Sequence, residues 1–228
     1  MSTLLVALAH PDDEVGCAGT VAAHTAAGHR AVLLWLTRGE ATEVFADLDL
    51  DEVAERRMAM GREAARILGA EARFLSFPDT RVHATPAAAR TVARVVAEEA
   101  PDAVITWGDA WVRGMRHPDH RATGTIVRDA VTLARIGRAV APRPPHRALA
   151  PVFTLRGRHS MLPARAVDVS DQLHTVRELG AFYRERVGWP GKDWLEDRLR
   201  RAGEAHGVPA AEVFDAWETS PGTGTRLL

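Results

Sequence analysis

At 228 residues, with 46% hydrophobic and 26% charged side chains, the chain has ordinary globular usage and enough length to bury a core as one domain spanning 1–228. The 29 Lys and Arg stand against 30 Asp and Glu, so a net charge of −1 excludes a general field for nucleic acid or an anionic membrane; small-molecule partners are expected, with homo-oligomerisation left open. The single cysteine, Cys17, allows no intramolecular disulfide, and the apolar run Leu4 to Ala9 is far short of a signal or membrane segment, which together predict a cytoplasmic protein.

A first strand is predicted over 3–9, a continuous apolar run stopped by Pro11. His10-Pro11-Asp12-Asp13-Glu14 follows at once, and the stretch Val15 to Ala27, closed by Gly28, reads as a helix. An imidazole and adjacent carboxylates thus fall on a strand-to-helix turn, where ligands sit in open parallel sheets. Burying them is expensive unless something positive sits among them. Strands over 31–37 and 72–76 and helices over 51–68 and 86–99 come next. After a strand over 103–106, His117-Pro118-Asp119-His120 repeats the theme and opens a helix over 118–136. Pro142-Arg143-Pro144-Pro145 breaks the pattern, 152–155 reads as a later strand, and from Ser170 onward the chain reads as mostly helical. This alternation predicts an α/β, Rossmann-like three-layer fold with a mainly parallel sheet and a helical C-terminal segment.

Two His-Pro-Asp loops at two strand ends can converge on one ion. Two imidazoles and a carboxylate form a catalytic zinc ligand set, and the same donors suit other divalent transition metals. Asp12 and Asp13 are neighbours whose side chains diverge, so one can bind metal while the other takes a proton from water. His117 and His120 are three apart, and with Pro118 in the first helical turn both rings can face one side; the residues alone leave His117 open as a further ligand. Asp119 is expected either to orient a working imidazole or to cap the helix. Glu40 and Asp79 fall after two other strands at the same sheet edge, as substrate contacts or as solvated loop carboxylates. Trp107, Trp111 and Met115 flank the second motif, as an apolar pocket wall or as core. No GxGxxG fingerprint, nucleophile elbow or Walker loop is present, so a dinucleotide is not expected.

Ala9-His10-Pro11-Asp12-Asp13-Glu14, then Gly16-Cys17-Ala18-Gly19-Thr20, with Leu36-Thr37-Arg38-Gly39-Glu40, Ala65-Arg66-Ile67-Leu68-Gly69, Leu75-Ser76-Phe77-Pro78-Asp79 and His117-Pro118-Asp119-His120 in that order, resembles the PIG-L/LmbE-type family of zinc-dependent N-acetylglucosaminyl deacetylases over residues 3 to about 125. The resemblance implies that His10, Asp13 and His120 hold Zn2+, that Asp12 is the general base, and that His117 assists the oxyanion and the leaving group. It implies hydrolysis of an N-acetyl or N-acyl group on an amino sugar or related small-molecule amide.

The family pattern is departed from at three places. Met115 stands where an aromatic tyrosine is common, Met58 and Gly61 stand where an arginine and a glutamate are expected, and Tyr183-Arg184-Glu185-Arg186 stands where a Ser-Gln pair is expected. These departures keep open a non-sugar N-acyl amine, hydrazide or thiol conjugate as substrate, or a catalytically silent metal-containing binding protein.

Overall fold

The computed structural model describes residues 1–108, 117–157, 159–189, 194–218 and 222–227. Strand β1 (Thr3–Leu8) is buried on both faces, which is why its sequence shows no polar alternation. Leu4, Val6 and Leu8 enter one core and Leu5 and Ala7 the other, as the two-residue period of a strand requires. β2 (Arg30–Trp35) and β4 (Ala103–Trp107) pair with β1 in parallel, setting Val6 opposite Leu33 on one side and Ile105 on the other. β3 (Glu71–Phe74) extends the sheet beyond β2, and β5 (Val152–Leu155) extends it beyond β4, both in parallel.

One core joins the sheet to α1 (Ala18–Ala26), α2 (Leu50–Ile67), α6 (Leu173–Val187) and α7 (Trp194–Glu204). The opposite core joins it to α3 (Pro86–Glu99), α4 (Pro118–Leu133) and the short α5 (Gly137–Val140). The chain runs outward from β1 to β2 and β3, then returns to place β4 on the other side of β1. Strand order therefore reverses between β1 and β4, and a ligand crevice is expected outside their C-terminal ends. The two His-Pro-Asp loops leave the sheet there.

Two expectations are corrected. The predicted helix over 15–27 begins as a 3-10 turn, Asp13–Gly16, and becomes α-helical only at Ala18, because the preceding backbone is committed to the turn at Asp12. The C-terminal part is less helical than predicted: β7 (Ala211–Ala216) pairs antiparallel with β5, β6 (Ala164–Asp168) antiparallel with β7, and β8 (Gly222–Gly224) parallel with β6. Among the described residues these complete one eight-stranded sheet, ordered β3-β2-β1-β4-β5-β7-β6-β8. Buried carboxylates disguise β7 in the sequence. Glu212 accepts the N–H groups of Gly19 and Thr20 at the start of α1, at 2.9 and 2.7 Å, and Asp215 accepts from Arg156 and, at 2.7 Å, from the Ser160 hydroxyl.

Helix α4 lies close against β4 at Gly124, where a Cβ would come within 2.3 Å of the Trp107 carbonyl oxygen. Ala in a helix interior normally stabilises by about 1 kcal/mol over Gly. Here the obstacle is backbone, so Gly124→Ala is expected to destabilise by about 1–3 kcal/mol, as overpacking does. Thermal unfolding checks this, and a Tm equal to or above wild type would show that the helix can withdraw at no cost.

Candidate metal centre and active site

His10 follows β1 directly and is buried, with its two ring nitrogens facing different partners. Nε2 lies 3.0 Å from Asp79 Oδ1 and 3.3 Å from Asp119 Oδ2, while Nδ1 lies 3.7 Å from Asp13 Oδ2. Burial alone would lower the pKa of this imidazole, but hydrogen bonds to Asp119 and Asp79 and the charge of Asp13 carry it up to about 10. The cluster is thus built to hold positive charge, whether a proton or a metal ion.

Asp13 is fixed from several sides. Its Oδ2 accepts the backbone N–H groups of Ala9 and His10, at 3.0 and 2.9 Å, and the Trp107 Nε1–H at 3.1 Å. Its Oδ1 lies 3.1 Å from His120 Nε2. Burial opposes ionisation of Asp13, yet His120, His10 and the His10 backbone amide hold it well below the usual carboxylate range. Trp107 stacks on the His120 ring, with centroids 3.9 Å apart and planes 11° apart. Trp107, expected at the substrate, therefore also orients two of the expected ligands.

Asp12 sits at φ 121°, a strained conformation for any residue but glycine and one that recurs at functional sites. Its Oδ2 pairs with Arg57 Nη2 at 2.9 Å, and the same guanidinium group donates to the Pro11 carbonyl. Burial pushes the Asp12 carboxyl up, Arg57 draws it down and Asp13 pushes it up again, with a net rise. Glu14, fully buried, accepts the Asp12 N–H at 2.9 Å and the Trp35 Nε1–H at 3.2 Å on Oε2, and the Tyr183 hydroxyl on Oε1.

Arg57 bears on the departure at Met58, while Tyr183 still stands where a Ser-Gln pair is expected. The arginine in the site is Arg57, one residue before the expected Met58, and it is buried against the first loop. Gly61 faces the core, where a Cβ would meet the Phe74 ring at 2.9 Å, so no glutamate could point from there into the site. Tyr183 brings α6 into contact with the loop after β1.

His117 is the N-cap of α4, and its Nδ1 accepts the Asp119 backbone N–H at 3.3 Å. The proton of the neutral ring is then on Nε2. Burial, followed by the charge of His10, lowers the His117 pKa, so the ring is neutral near pH 7. The Asp119 carboxylate, expected to orient the working imidazole, stands 4.0 Å from His117 Nδ1 and serves other groups. It holds His10 and accepts the N–H groups of Thr80, at 2.8 Å, and Val82, at 3.2 Å, tying α4 to the loop after β3.

Asp79 and Glu40, expected to contact substrate, make contacts within the protein. Asp79 Oδ1 faces His10, its Oδ2 accepts Ala41 N–H at 3.0 Å, and its own N–H donates to Glu40 Oε1 at 3.0 Å. The second Glu40 oxygen is buried with no hydrogen-bond partner among the described residues. Met115 and Trp111 lie outside the described residues.

The donor set fits a divalent cation. Ligand atoms about 2.1 Å from one tetrahedral ion stand roughly 3.4 Å from each other. Asp13 Oδ1 stands 3.1 Å from His120 Nε2, close to that value, while His10 Nδ1 faces the other oxygen, Oδ2, at 3.7 Å. With Nδ1 turned toward Asp13, His10 presents Nε2 to carboxylates, the arrangement that fixes a metal-binding imidazole. Donor atoms of His10, His117 and His120 also lie within 4.8 Å of one another, as do those of His10, Asp79, His117 and Asp119. Imidazole and carboxylate donors suit zinc and its divalent neighbours.

Comparison with known proteins identifies the family. The PIG-L family, GlcNAc-PI de-N-acetylase, matches residues 5–131, more than half of the chain. A diacetylchitobiose deacetylase of Thermococcus kodakarensis is 30% identical over 189 residues, which cover 78% of this chain and 69% of that protein. A 1D-myo-inositol 2-acetamido-2-deoxy-alpha-D-glucopyranoside deacetylase of Kineococcus radiotolerans is 34% identical over 168 residues, covering 59% of this chain and 46% of that longer protein. The structure of N,N'-diacetylchitobiose deacetylase from Pyrococcus horikoshii superimposes with a TM-score of 0.81 at 24% identity, covering 95% of this chain and 84% of that one. The chain belongs to the PIG-L, or LmbE-like, family.

Proposed function

We propose that this protein is a metal-dependent N-deacetylase acting on an amino sugar or a related small-molecule amide, with His10, Asp13 and His120 holding a divalent cation, zinc by preference. The observation that carries this reading is the convergence of His10, Asp13, His117 and His120 at the switch between β1 and β4, with Asp12 beside them. When bound, such a cation supplies Lewis-acid chemistry, polarising a carbonyl oxygen and lowering the pKa of water. Asp12 takes the proton of the attacking water, a task suited by a carboxyl whose pKa burial has raised. His117 offers Nε2–H to the carbonyl oxygen as it gains charge, and the proton taken up by Asp12 passes to the departing amine as the C–N bond breaks. Arg57 holds Asp12 in place. Release of a carboxylate and a free amine completes hydrolysis.

A cavity of about 580 Å³ opens beside Asp12 and Asp13, with Trp107, Trp189, Trp194 and Leu155 in its wall. It is far larger than an acetyl group needs and largely apolar, which supports a substrate carrying a ring or other bulky group next to the amide. A non-sugar N-acyl amine fits this wall as well as a sugar does.

Acetate release from N,N'-diacetylchitobiose and from a panel of N-acetyl arylamines tests the reading, with protein before and after chelation. Chelated protein is expected to lose the activity and to regain it with added zinc. Full activity without metal would sink the metal-dependent reading; tightly held metal with no acetate from any amide would favour a silent binding protein.

A further inference from the structure

We propose that Tyr183 positions the general base Asp12 through Glu14, making α6 part of the active-site scaffold. The inference rests on the assignment of Asp12 as base. The geometry is a short relay. The Tyr183 hydroxyl donates to Glu14 Oε1, and Glu14 Oε2 accepts the Asp12 backbone N–H at 2.9 Å and the Trp35 Nε1–H at 3.2 Å. Tyr183 and Glu14 are fully buried, and the tyrosine ring stacks on Trp189 with centroids 5.5 Å apart.

The relay has a reason to exist. Asp12 is at φ 121°, a conformation that persists only where the surroundings over-determine it. Two side chains restrain it, Arg57 from α2 on its carboxylate and Glu14, from the turn itself, on its amide. Arg57 fixes the reacting group directly. Glu14 fixes the backbone from which that group projects, but a buried carboxylate can do so only if its own oxygens are held by donors. Trp35 and Tyr183 are those side-chain donors. Trp35 belongs to β2 and is fixed by the sheet, whereas Tyr183 comes from a helix 169 residues away in sequence from Glu14. Packing of α6 on the sheet is thereby coupled to the aim of Asp12.

Tyr183→Phe tests this, because phenylalanine keeps the ring packing and removes only the hydroxyl. Against acetate release from N,N'-diacetylchitobiose, kcat is expected to fall about tenfold, the scale of one lost buried hydrogen bond, while KM and metal content stay within about twofold. Hydrogen exchange at the Asp12 amide is expected to quicken about tenfold relative to amides of β1, and this readout needs no turnover. Unchanged kcat with unchanged exchange would overturn the proposal, as would a loss of kcat matched by loss of metal or by exchange rising equally throughout β1. Asp12→Asn in the same assay separates the two ideas: if it stays fully active, Asp12 is not the base, and only faster Asp12 exchange in Tyr183→Phe would then support the brace.

Discussion

Asp12→Asn is expected to lower the rate of amide hydrolysis by roughly 10²–10⁴, the span typical of a lost general base, with metal content near that of wild type. Asparagine keeps the shape and can still accept from Arg57 Nη2, now 2.9 Å from Asp12 Oδ2, but it cannot take a proton from water. The substitution also leaves the Arg57 guanidinium, only 3% exposed, without its partner charge. An uncompensated buried charge costs stability, so the melting temperature should fall as well, and rates must be compared at a temperature where both proteins are folded. The companion variant Arg57→Lys keeps the charge but replaces the planar guanidinium, whose Nη2 reaches both Asp12 and the Pro11 carbonyl, with a compact ammonium on a different stem. It should retain more activity than Asp12→Asn. A folded Asp12→Asn protein with wild-type turnover would remove Asp12 from the mechanism and leave its strained turn without a catalytic reason.

Much of the site was legible because its chemistry is local. His10, Asp12 and Asp13 follow a strand within a few residues, and His117 and His120 share the first turn of a helix, so the spacing alone announces a cluster. The parallel half of the sheet was legible for a similar reason, since strands buried on both faces read as unbroken apolar runs. What escaped depends on tertiary partners. Asp119 lies two residues from His117, which invited pairing with that ring, yet its carboxylate turns toward His10 and the amides of Thr80 and Val82. Only the fold of the loop after β3 decides this. Arg57 stands one residue before the expected Met58, and on a helix one residue is about 100° of rotation, enough to decide which side chain meets the first loop. Tyr183 drew notice only as a departure, because nothing in the sequence couples it to Glu14. β7 was missed because Glu212 and Asp215 are buried where carboxylates are rarely buried unless paired.

His117→Asn and His120→Ala are expected to separate turnover from metal binding. Asparagine at 117 can still cap α4, since its side-chain oxygen can accept the Asp119 N–H that His117 Nδ1 now takes at 3.3 Å. Helix and fold should therefore persist while the Nε2–H donor is lost. If that donor meets the developing oxyanion, the rate falls by roughly 10²–10³, the cost of one such donor, and the metal stays at about one per chain. His120 differs in its surroundings. Its Nε2 stands 3.1 Å from Asp13 Oδ1, and its ring is pinned against Trp107, so its position is set by the same groups that fix Asp13. Removing the imidazole takes away one of the three proposed ligands, and His120→Ala should lose most of its metal together with its activity. The close approach of all three imidazoles makes the opposite outcome meaningful. Should His117→Asn release its metal as completely as His120→Ala does, His117 is a ligand, and the donor to the oxyanion must be sought elsewhere in the site.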